Sequence, residues 1–376
     1  MSGANTAVPV PSADHVAAVA LAGLPEIGPA RLRFLLDHYG SPTRALRAVR
    51  RGDAARQMRH TSSPRGREAL AAASAGWPAQ LDPDATRRLL VTRGARVWLD
   101  GESEYPIVDV PPPPPALLLA EGSRPDALDA PRVAIVGTRS ATPHGIDDAR
   151  ELAATLVDAG VTVVSGLALG IDGAAHRGAV DGGGLTIGVV ATGLDVEYPR
   201  RHRTLYAAVR AHGLVLGETG YGIGPSPGRF PVRNRIIAAL ADVVVVVEAT
   251  ISGGARITAE QALRYQRMVF AVPGSRRNAA AAGTNALLAD GAQPLTEWSD
   301  VLIALGMTPG SRRAPAARAA PDRSGRSILD ALAGEPGSPE QIAARTGFPP
   351  ETIALAVGAL EQAGWVTWAQ GLVWPR

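Results

Sequence analysis

Between residues 132 and 306, short runs of β-branched and aliphatic residues alternate with stretches of helical periodicity. Strands that are apolar throughout have both faces covered, and strands that alternate with helices become parallel neighbours in one sheet. This alternation therefore predicts an α/β domain built on a parallel sheet with helices on both faces. The predicted strands are residues 133–136, 161–164, 186–190, 214–216, 243–247 and 269–272.

The segment before this domain is predicted to be a helical domain over residues 1–80. Its clearest helices are predicted at residues 15–24 and 29–39, with a tight turn at Gly28-Pro29 between them. Such a turn suits a plain helical hairpin and a backbone contact to a DNA phosphate equally well.

The remaining segments differ from the α/β domain in composition. Residues 81–131 are predicted to be an extended connector, because they contain five consecutive prolines at 111–115. Residues 307–326 contain five arginines and one aspartate, and we interpret them as an arginine-rich linker. Residues 327–376 contain a capping box at 338–341, a second helical stretch and a strand pair, which together indicate a small winged helix.

The composition excludes several kinds of chemistry. The chain contains no cysteine and no lysine, so all 38 basic residues are arginine. Thiolate nucleophiles, cysteine zinc sites, Schiff-base lysines and phosphate-loop lysines are therefore excluded. The seven histidines lack metal-ligand spacing, and we predict neither a metal nor a cofactor. The most apolar run, 243–247, is too short to span a bilayer, and we predict a cytoplasmic protein without a membrane segment.

The loops that follow the predicted strands combine glycines with hydroxyl groups and arginine. In an open parallel sheet, ligands bind beyond the carboxyl ends of the strands. Glycine permits close approach of the backbone, and free N–H groups at a helix start bind anions. These loops therefore predict an anion site. Its candidate residues are Gly137, Arg139, Ser140, Ser165, Gly166, Gly170, Ser252, Gly253, Gly254 and Thr258.

A further cluster precedes the fifth strand, where Phe230 stands among three arginines and an asparagine. A ring next to guanidinium groups is typical of a surface that stacks bases and follows a phosphate backbone. We therefore add four residues to the candidate site. The alternative is that the ring packs in the core and Arg233 pairs with Glu218 or Glu248. The added residues are Phe230, Arg233, Asn234 and Arg235.

Three acidic residues at strand ends, Asp172, Glu218 and Glu248, raise the possibility of acid–base chemistry. No histidine accompanies them in a nucleophile motif. We interpret Asp172 as the cap of a helix beginning near Gly173, and the two glutamates as residues that position arginines. No catalytic residue is predicted.

Taken in order, these motifs resemble those of the DprA/Smf (DNA-processing protein A) family over residues 132–300. The resemblance implies a Rossmann-like domain flanked by an N-terminal SAM-like helical domain and a C-terminal winged helix. The motifs are Gly137-Thr138-Arg139, Ser165-Gly166-Leu167-Ala168 with Gly170-Ile171-Asp172, Tyr198-Pro199, Phe230-Pro231-x-Arg233-Asn234-Arg235, Glu248-Ala249 with Ser252-Gly253, Thr258-Ala259, and Pro273-Gly274 followed by Gly283-Thr284-Asn285.

The resemblance also implies a function. Proteins of this family bind and protect incoming single-stranded DNA and help load the RecA recombinase in natural transformation. They form homodimers through the Rossmann-like domain, and the resemblance implies no enzymatic activity. The chain departs from the family pattern at Leu169, where a basic residue is common, and at Gly217, where serine is usual.

Two other functions fit parts of the sequence. Residues 252–260 share glycines and a glutamate with the phosphate motif of the lysine-decarboxylase-like Rossmann group, which would make the protein a nucleotide or phosphoribosyl hydrolase. The winged helix would alternatively bind duplex DNA as a transcription regulator. Its second helix, predicted at 350–362, carries Glu351 and Glu361 and no arginine, so we interpret it as a protein-contact module.

Overall fold

The computed structural model describes residues 9–58, 64–107, 110, 114–308, 321–363, 365–369 and 371–375. The chain divides into two compact units, residues 1–140 with 149–308 and residues 141–148 with 309–376, and each is described separately. Within the described ranges, no helix combines the length and the apolar character needed to cross a bilayer.

The first unit contains a sheet of nine strands. The strands are β1 (Arg96–Leu99), β2 (Leu117–Glu121), β3 (Arg132–Val136), β4 (Thr162–Ser165), β5 (Thr186–Val189), β6 (Gly213–Gly217), β7 (Val243–Val246), β8 (Met268–Ala271) and β9 (Gln293–Pro294). Their order is β1-β2-β6-β5-β4-β3-β7-β8-β9. The seven strands from β6 to β9 in this order are parallel, as the sequence pattern predicts.

The strand order creates one point at which a ligand site is expected. From β3 the chain builds outward through β4, β5 and β6 on one side, and from β7 through β8 and β9 on the other. Loops that leave the carboxyl ends of β3 and β7 therefore diverge and leave a crevice between them. The register of this pair runs from Val133 opposite Val243 to Val136 opposite Val246.

The prediction that residues 81–131 form an extended connector is wrong. They contain a capped helix, α7 (Pro83–Arg93), and the strands β1 and β2, which extend the sheet beyond β6 by antiparallel pairing. Leu119 lies opposite Gly217, so the added pair covers a strand edge whose backbone groups would otherwise lack partners. The sequence pattern did not indicate this pairing, because it depends on a strand almost a hundred residues further along the chain.

The helices that lie before the sheet and between its strands belong to the first unit, except for residues 143–148 at the start of α8 (Pro143–Asp158), which belong to the second. The two helices predicted near the amino terminus are confirmed as α1 and α2, and residues from them share one apolar core with strand residues such as Val215. The helices are α1 (Ala13–Ala22), α2 (Pro29–Tyr39), α3 (Pro42–Arg50), α4 (Ala54–Gln57), α5 (Pro64–Ser74), α6 (Trp77–Gln80), α7 (Pro83–Arg93), α8 (Pro143–Asp158), α9 (Ile171–Asp181), α10 (Arg203–His212), α11 (Arg229–Leu240), α12 (Gly254–Arg264), α13 (Ala282–Ala289) and α14 (Ser299–Ala304).

The second unit contains the predicted winged helix. Ser338 and Gln341 form the expected capping box, and Pro339 occupies the first helical position of α16. The strands β10 and β11 pair as an antiparallel hairpin. The elements are α15 (Arg323–Leu332), α16 (Pro339–Thr346), α17 (Pro350–Gln362), β10 (Val366–Ala369) and β11 (Leu372–Pro375).

The arginine-rich linker is only partly described. Arg312, Arg313 and Arg318 lie outside the described residues. Arg323 and Arg326 belong to α15, which Asp322 caps by accepting a hydrogen bond from the backbone N–H of Gly325. The linker therefore ends before residue 323, and not at 326 as predicted, because the capping aspartate starts a helix there.

Candidate functional site

An open cleft of about 670 Å³ lies at the carboxyl ends of the strands, at the switch point between β3 and β7. Five loops form its walls, those that follow β3, β4, β5, β6 and β7. The helices α11 (Arg229–Leu240) and α12 (Gly254–Arg264) contribute most of the remaining lining residues. The position agrees with the general rule for open parallel sheets, and three of these loops are the glycine-rich ones identified in the sequence.

The loops after β3, β4 and β7 are joined to one another by backbone contacts. The N–H of Thr138 donates to the carbonyl of Glu248 over 2.8 Å, and the N–H of Ile171 donates to the carbonyl of Thr138 over 3.3 Å. Gly170 has φ 76° and ψ −130°, and a Cβ there would lie 2.2 Å from the Thr138 oxygen. Glycine is therefore required at Gly170 for both backbone conformation and close approach.

Asp172 stabilises the loop between β4 and α9 through hydrogen bonds to its backbone. Its carboxylate accepts hydrogen bonds from the backbone N–H groups of Gly166 (3.2 Å) and Ala168 (3.4 Å). Burial raises the pKa of Asp172, and the charge of Arg233 and the backbone donors act against that rise. Asp172 lies in the first turn of α9, which Gly170 precedes, so the predicted capping of a helix near Gly173 is wrong. Its carboxylate folds back onto the preceding loop.

Arg233 is a buried residue whose donors are largely satisfied by the protein itself. One guanidinium nitrogen donates to the Gly166 carbonyl over 2.7 Å and also contacts the Val189 carbonyl, while Nε donates to Asn234 Oδ1 over 3.2 Å. Burial lowers the pKa of Arg233, and the charge of Asp172 opposes this. These hydrogen-bond partners of Arg233 are carbonyl groups, and Glu218, one of the two glutamates suggested as its partner, pairs with Arg235 instead.

Arg235 lies on another face of α11. Successive helical residues are rotated by about 100°, so Arg235 is turned by about 200° from Arg233. Its guanidinium forms an ion pair with Glu218. Burial raises the pKa of Glu218 to about 7, against the opposing effect of Arg235. The predicted positioning role of Glu218 is thereby supported, and Arg235 lies outside the lining of the cleft.

The mouth of the cleft carries one cation and two aromatic rings. The guanidinium carbon of Arg139 lies over the ring of Phe230, 4.9 Å from its centre. The ring of Tyr198 lies 5.7 Å from that of Phe230, centre to centre, and its residue is 41% exposed. A recess of about 50 Å³ opens beside these rings, and Leu169 forms part of its wall. Charge and stacking surface are therefore combined at one place.

The structure brings most of the predicted site residues together but not all of them. Ser165 is buried, and its hydroxyl donates to the Ile135 carbonyl over 2.6 Å, so the expected ligand contact from this side chain is wrong. Ser140 and Ser252 are exposed beside the cleft lining. Gly166 lines the small recess. The predicted residues that line the cleft are Gly137, Arg139, Phe230, Arg233, Asn234, Gly253, Gly254 and Thr258.

Some lining residues were absent from the predicted site. The Tyr198-Pro199 motif was noted in the sequence without a role, although its ring pairs with Phe230. A count of aromatic residues near the glycine loops would have found it. The others have no chemical signal in the sequence, because Thr, Pro and Ile line clefts and cores alike. These residues are Thr138, Tyr198, Pro225, Ser226, Pro227, Thr250 and Ile257.

In the part of the chain that the structure describes, no group of three histidine, aspartate or glutamate side chains is placed to hold a metal ion. Among the described residues that line the cleft, Asp172 is the one that is acidic, and its carboxylate is bound to backbone N–H groups. The cleft therefore offers arginine, aromatic rings, hydroxyl groups and backbone N–H groups to a ligand.

Two family models match the chain. The model described as DNA recombination-mediator protein A matches residues 96–306, and the DprA winged helix domain matches residues 312–371. Among curated proteins, the DNA processing protein DprA of Mycobacterium tuberculosis is 35% identical over 357 residues, with 89% of this chain and 87% of the relative covered. The DNA processing protein DprA of Streptococcus pneumoniae is 42% identical over 188 residues, which cover 50% of this chain and 66% of that protein.

Solved structures agree with these matches. The X-ray structure of DNA processing protein A from Streptococcus pneumoniae has a TM-score of 0.60 and 31% identity, with 78% of this chain and 97% of that chain covered. A structure of DNA processing protein A from Helicobacter pylori, described for its mode of binding single-stranded DNA, has a TM-score of 0.51 and 31% identity and covers 56% and 95%. With a domain model spanning more than half of its length and a relative matched along most of both chains, the chain belongs to the DNA recombination-mediator protein A (DprA/Smf) family.

Proposed function

We propose that this protein binds single-stranded DNA in the cleft between the β3 and β7 loops. The single observation that carries the proposal is the grouping of Arg139, Phe230 and Tyr198 at the mouth of a cleft floored by glycine loops. The Helicobacter pylori relative, whose structure was described for single-stranded DNA binding, supports the same ligand.

The chemistry of the cleft suits an unpaired strand. Arg139 supplies a planar fork for a phosphate, and the rings of Phe230 and Tyr198 supply faces on which a base stacks. The start of α12 lines the cleft at Gly254 and Ala255, and the N–H groups of a helix start stabilise a phosphate, so we place a second phosphate there. A stacked duplex offers no free base face, so it binds less well.

In this proposal the predicted site residues divide into ligands and scaffold. Ser140 and Ser252 are neighbours in the chain of Arg139 and Gly253, and we assign their exposed hydroxyls to flanking phosphates. Three other predicted residues shape the loops from within, together with Asp172, which is not one of the predicted site residues. These scaffold residues are Ser165, Gly170, Arg233 and Asp172.

The proposal includes no catalysed reaction. In the rival hydrolase, a glutamate of the segment 252–260 would act at the phosphate site, but Glu260 is exposed and outside the cleft lining. The buried Asp172 is occupied by backbone donors. We further propose that the protein acts in the cytoplasm as a homodimer formed through the Rossmann-like domain. There it protects incoming DNA and hands it to RecA during transformation.

Fluorescence anisotropy with labelled oligo-dT and a duplex of equal length tests the binding proposal. The wild type is expected to prefer the single strand, with affinity that falls as salt rises, because arginine–phosphate contacts release counterions. The double variant Arg139→Ala/Phe230→Ala should lose this preference. Arg264→Ala is the matched control, because Arg264 is exposed at the opposite end of α12 from the cleft.

Equal affinity for both DNAs, or binding that the double variant leaves unchanged, contradicts the assignment of the cleft. Release of free base from nucleoside monophosphates by the wild type would instead support the hydrolase. A separate experiment tests the hand-over to RecA. The proposal expects RecA filaments to form faster on single-stranded DNA bound by this protein than on the same DNA alone.

A further inference from the structure

The loop between β8 and α13 is a charged part of the cleft surroundings that the proposed site does not use. Residues 273–285 contain two arginines and no acidic residue. The side chains of Arg276 and Arg277 are both exposed. Among the residues that the structure describes, no acidic group forms an ion pair with either of them.

Hydrogen bonds attach this loop to the wall of the cleft. The N–H of Ala249 donates to the Ala280 carbonyl over 2.8 Å, and the N–H of Gly283 donates to the Ala249 carbonyl over 2.6 Å. Ala249 and Thr250 both line the cleft. A Cβ at Gly283 would lie 2.5 Å from the Thr250 carbonyl oxygen, so the backbones are in close contact. Arg276 and Arg277 therefore belong to a loop that lies directly behind the loop after β7, which forms one wall of the cleft (the β7 wall).

The conformation of the loop is held by side chains that are themselves outside the cleft. The amide of Asn285 donates to the Gly274 carbonyl over 2.9 Å and accepts from the Gly274 N–H over 3.2 Å. Asn278 accepts from the Ala280 N–H over 2.9 Å, and its own N–H donates to the Ser275 carbonyl over 2.9 Å. A preformed loop loses little backbone entropy when its arginines bind a ligand.

The charges around the cleft are otherwise distributed unevenly. On the β4 side, Leu169 stands in the recess where a basic residue would add a phosphate contact. On the β7 side, Arg256 approaches Asp290 at 3.4 Å and the Ile251 carbonyl at 3.4 Å, so its charge is partly neutralised. Arg276 and Arg277 thus supply unpaired positive charge on the side of the cleft opposite the β4 loop.

We propose that Arg276 and Arg277 form a second phosphate-binding site, which extends the path of single-stranded DNA from the cleft across the β7 wall toward β8. This inference rests on the proposed binding of single-stranded DNA. A short oligonucleotide fills the cleft alone, whereas a longer one also reaches the arginine pair. The two arginines bind backbone and not bases, so the extension is indifferent to sequence.

The test compares a short oligo-dT of about four nucleotides with one of about twenty, a length above typical site sizes for single-strand domains. The variant Arg276→Gln/Arg277→Gln should bind the long strand roughly tenfold more weakly than the wild type at moderate salt. Its salt slope for the long strand should fall by about 1.4, since each single-strand phosphate contact contributes about 0.7. Binding of the short strand should be unchanged.

Arg50→Gln/Arg51→Gln is the matched control, because it removes the same charge from adjacent exposed residues at the end of α3. Equal weakening by both pairs, or no effect of the loop pair at either length, overturns the inference. The proposed function fails separately if Phe230→Ala leaves binding of the short strand intact. Thermal unfolding of each variant checks that the fold is retained, which is expected for the arginine variants because their substituted side chains are exposed.

Discussion

The guanidinium group of Arg139 covers one face of the Phe230 ring, with 4.9 Å between the guanidinium carbon and the ring centre. If a DNA base stacks on this same face, as the proposed binding mode expects, Arg139 has to move aside. Arg139 then becomes free to bind the adjacent phosphate. The two residues are thus expected to act as one unit in binding.

Phe230→Ala is expected to weaken binding of a short single strand by roughly ten- to a hundredfold, because stacking on an aromatic ring contributes about 1–3 kcal/mol per base. Phe230→Tyr keeps the ring and should retain most of the affinity. Anisotropy titrations with oligo-dT measure both. The losses caused by Arg139→Ala and Phe230→Ala should not add in the double variant. Strict additivity would show that the two residues bind independently.

Gly170→Ala is expected to destabilise the first unit by roughly 2–4 kcal/mol, because the residue has a positive φ and its Cβ would lie 2.2 Å from a carbonyl oxygen. Denaturant unfolding measures the change. Gly224→Ala serves as the control, since nothing lies within 4 Å of a Cβ there, and it should cost less than about 1 kcal/mol. Similar costs at both positions would contradict the close contact between the β3 and β4 loops.

Arg233→Met is expected to lower the free energy of unfolding by roughly 2–4 kcal/mol, because it leaves buried carbonyl acceptors without donors and removes the charge that faces Asp172. Arg264→Met, at an exposed position, should change it by less than about 0.5 kcal/mol. If Arg233→Met keeps its stability and loses only DNA binding, then Arg233 is a ligand and not part of the scaffold.

Glu218→Gln tests the pH dependence of stability. Burial raises the pKa of Glu218 to about 7, so the folded protein holds a proton that the unfolded chain loses near its usual value of 4.5. The stability that this carboxyl contributes is fully present below that usual value and is lost as pH rises through about 7. From about pH 5.5 to 7.5, the free energy of unfolding of the wild type should fall by roughly 2 kcal/mol relative to Glu218→Gln.

Chemical denaturation of both proteins at a series of pH values measures this difference. The contributions of other titratable groups are the same in both proteins and cancel in the comparison. One of them is His176. Burial lowers the pKa of His176 to about 3, so its effect on stability has the opposite sign. A difference between the two proteins that stays constant with pH would mean that Glu218 titrates at its ordinary value. The free-energy cost of burying the Glu218 carboxylate would then be fully offset by its ion pair with Arg235.

The structure brings the predicted loops together at one cleft, but it places several of the predicted side chains in contacts within the protein. Both Arg233 and Arg235 were expected to contact a ligand, yet one binds carbonyl groups inside the protein and the other binds Glu218. Arginine forms equally good hydrogen bonds with phosphates, carboxylates and carbonyls, so its residue type does not reveal its partner. Their separation by two positions on a helix does show that they face different directions.

The sequence by itself determined the parallel sheet, its covering helices and the position of the cleft. These depend on local patterns: apolar strands buried on both faces, helical periodicity, and glycines that only certain turns require. Only the tertiary structure decided that β1 and β2 extend the sheet, that Ser165 turns inward, and that Tyr198 meets Phe230. Each of these is a contact between segments distant in the chain, and its geometry is set by packing and not by local residue preference.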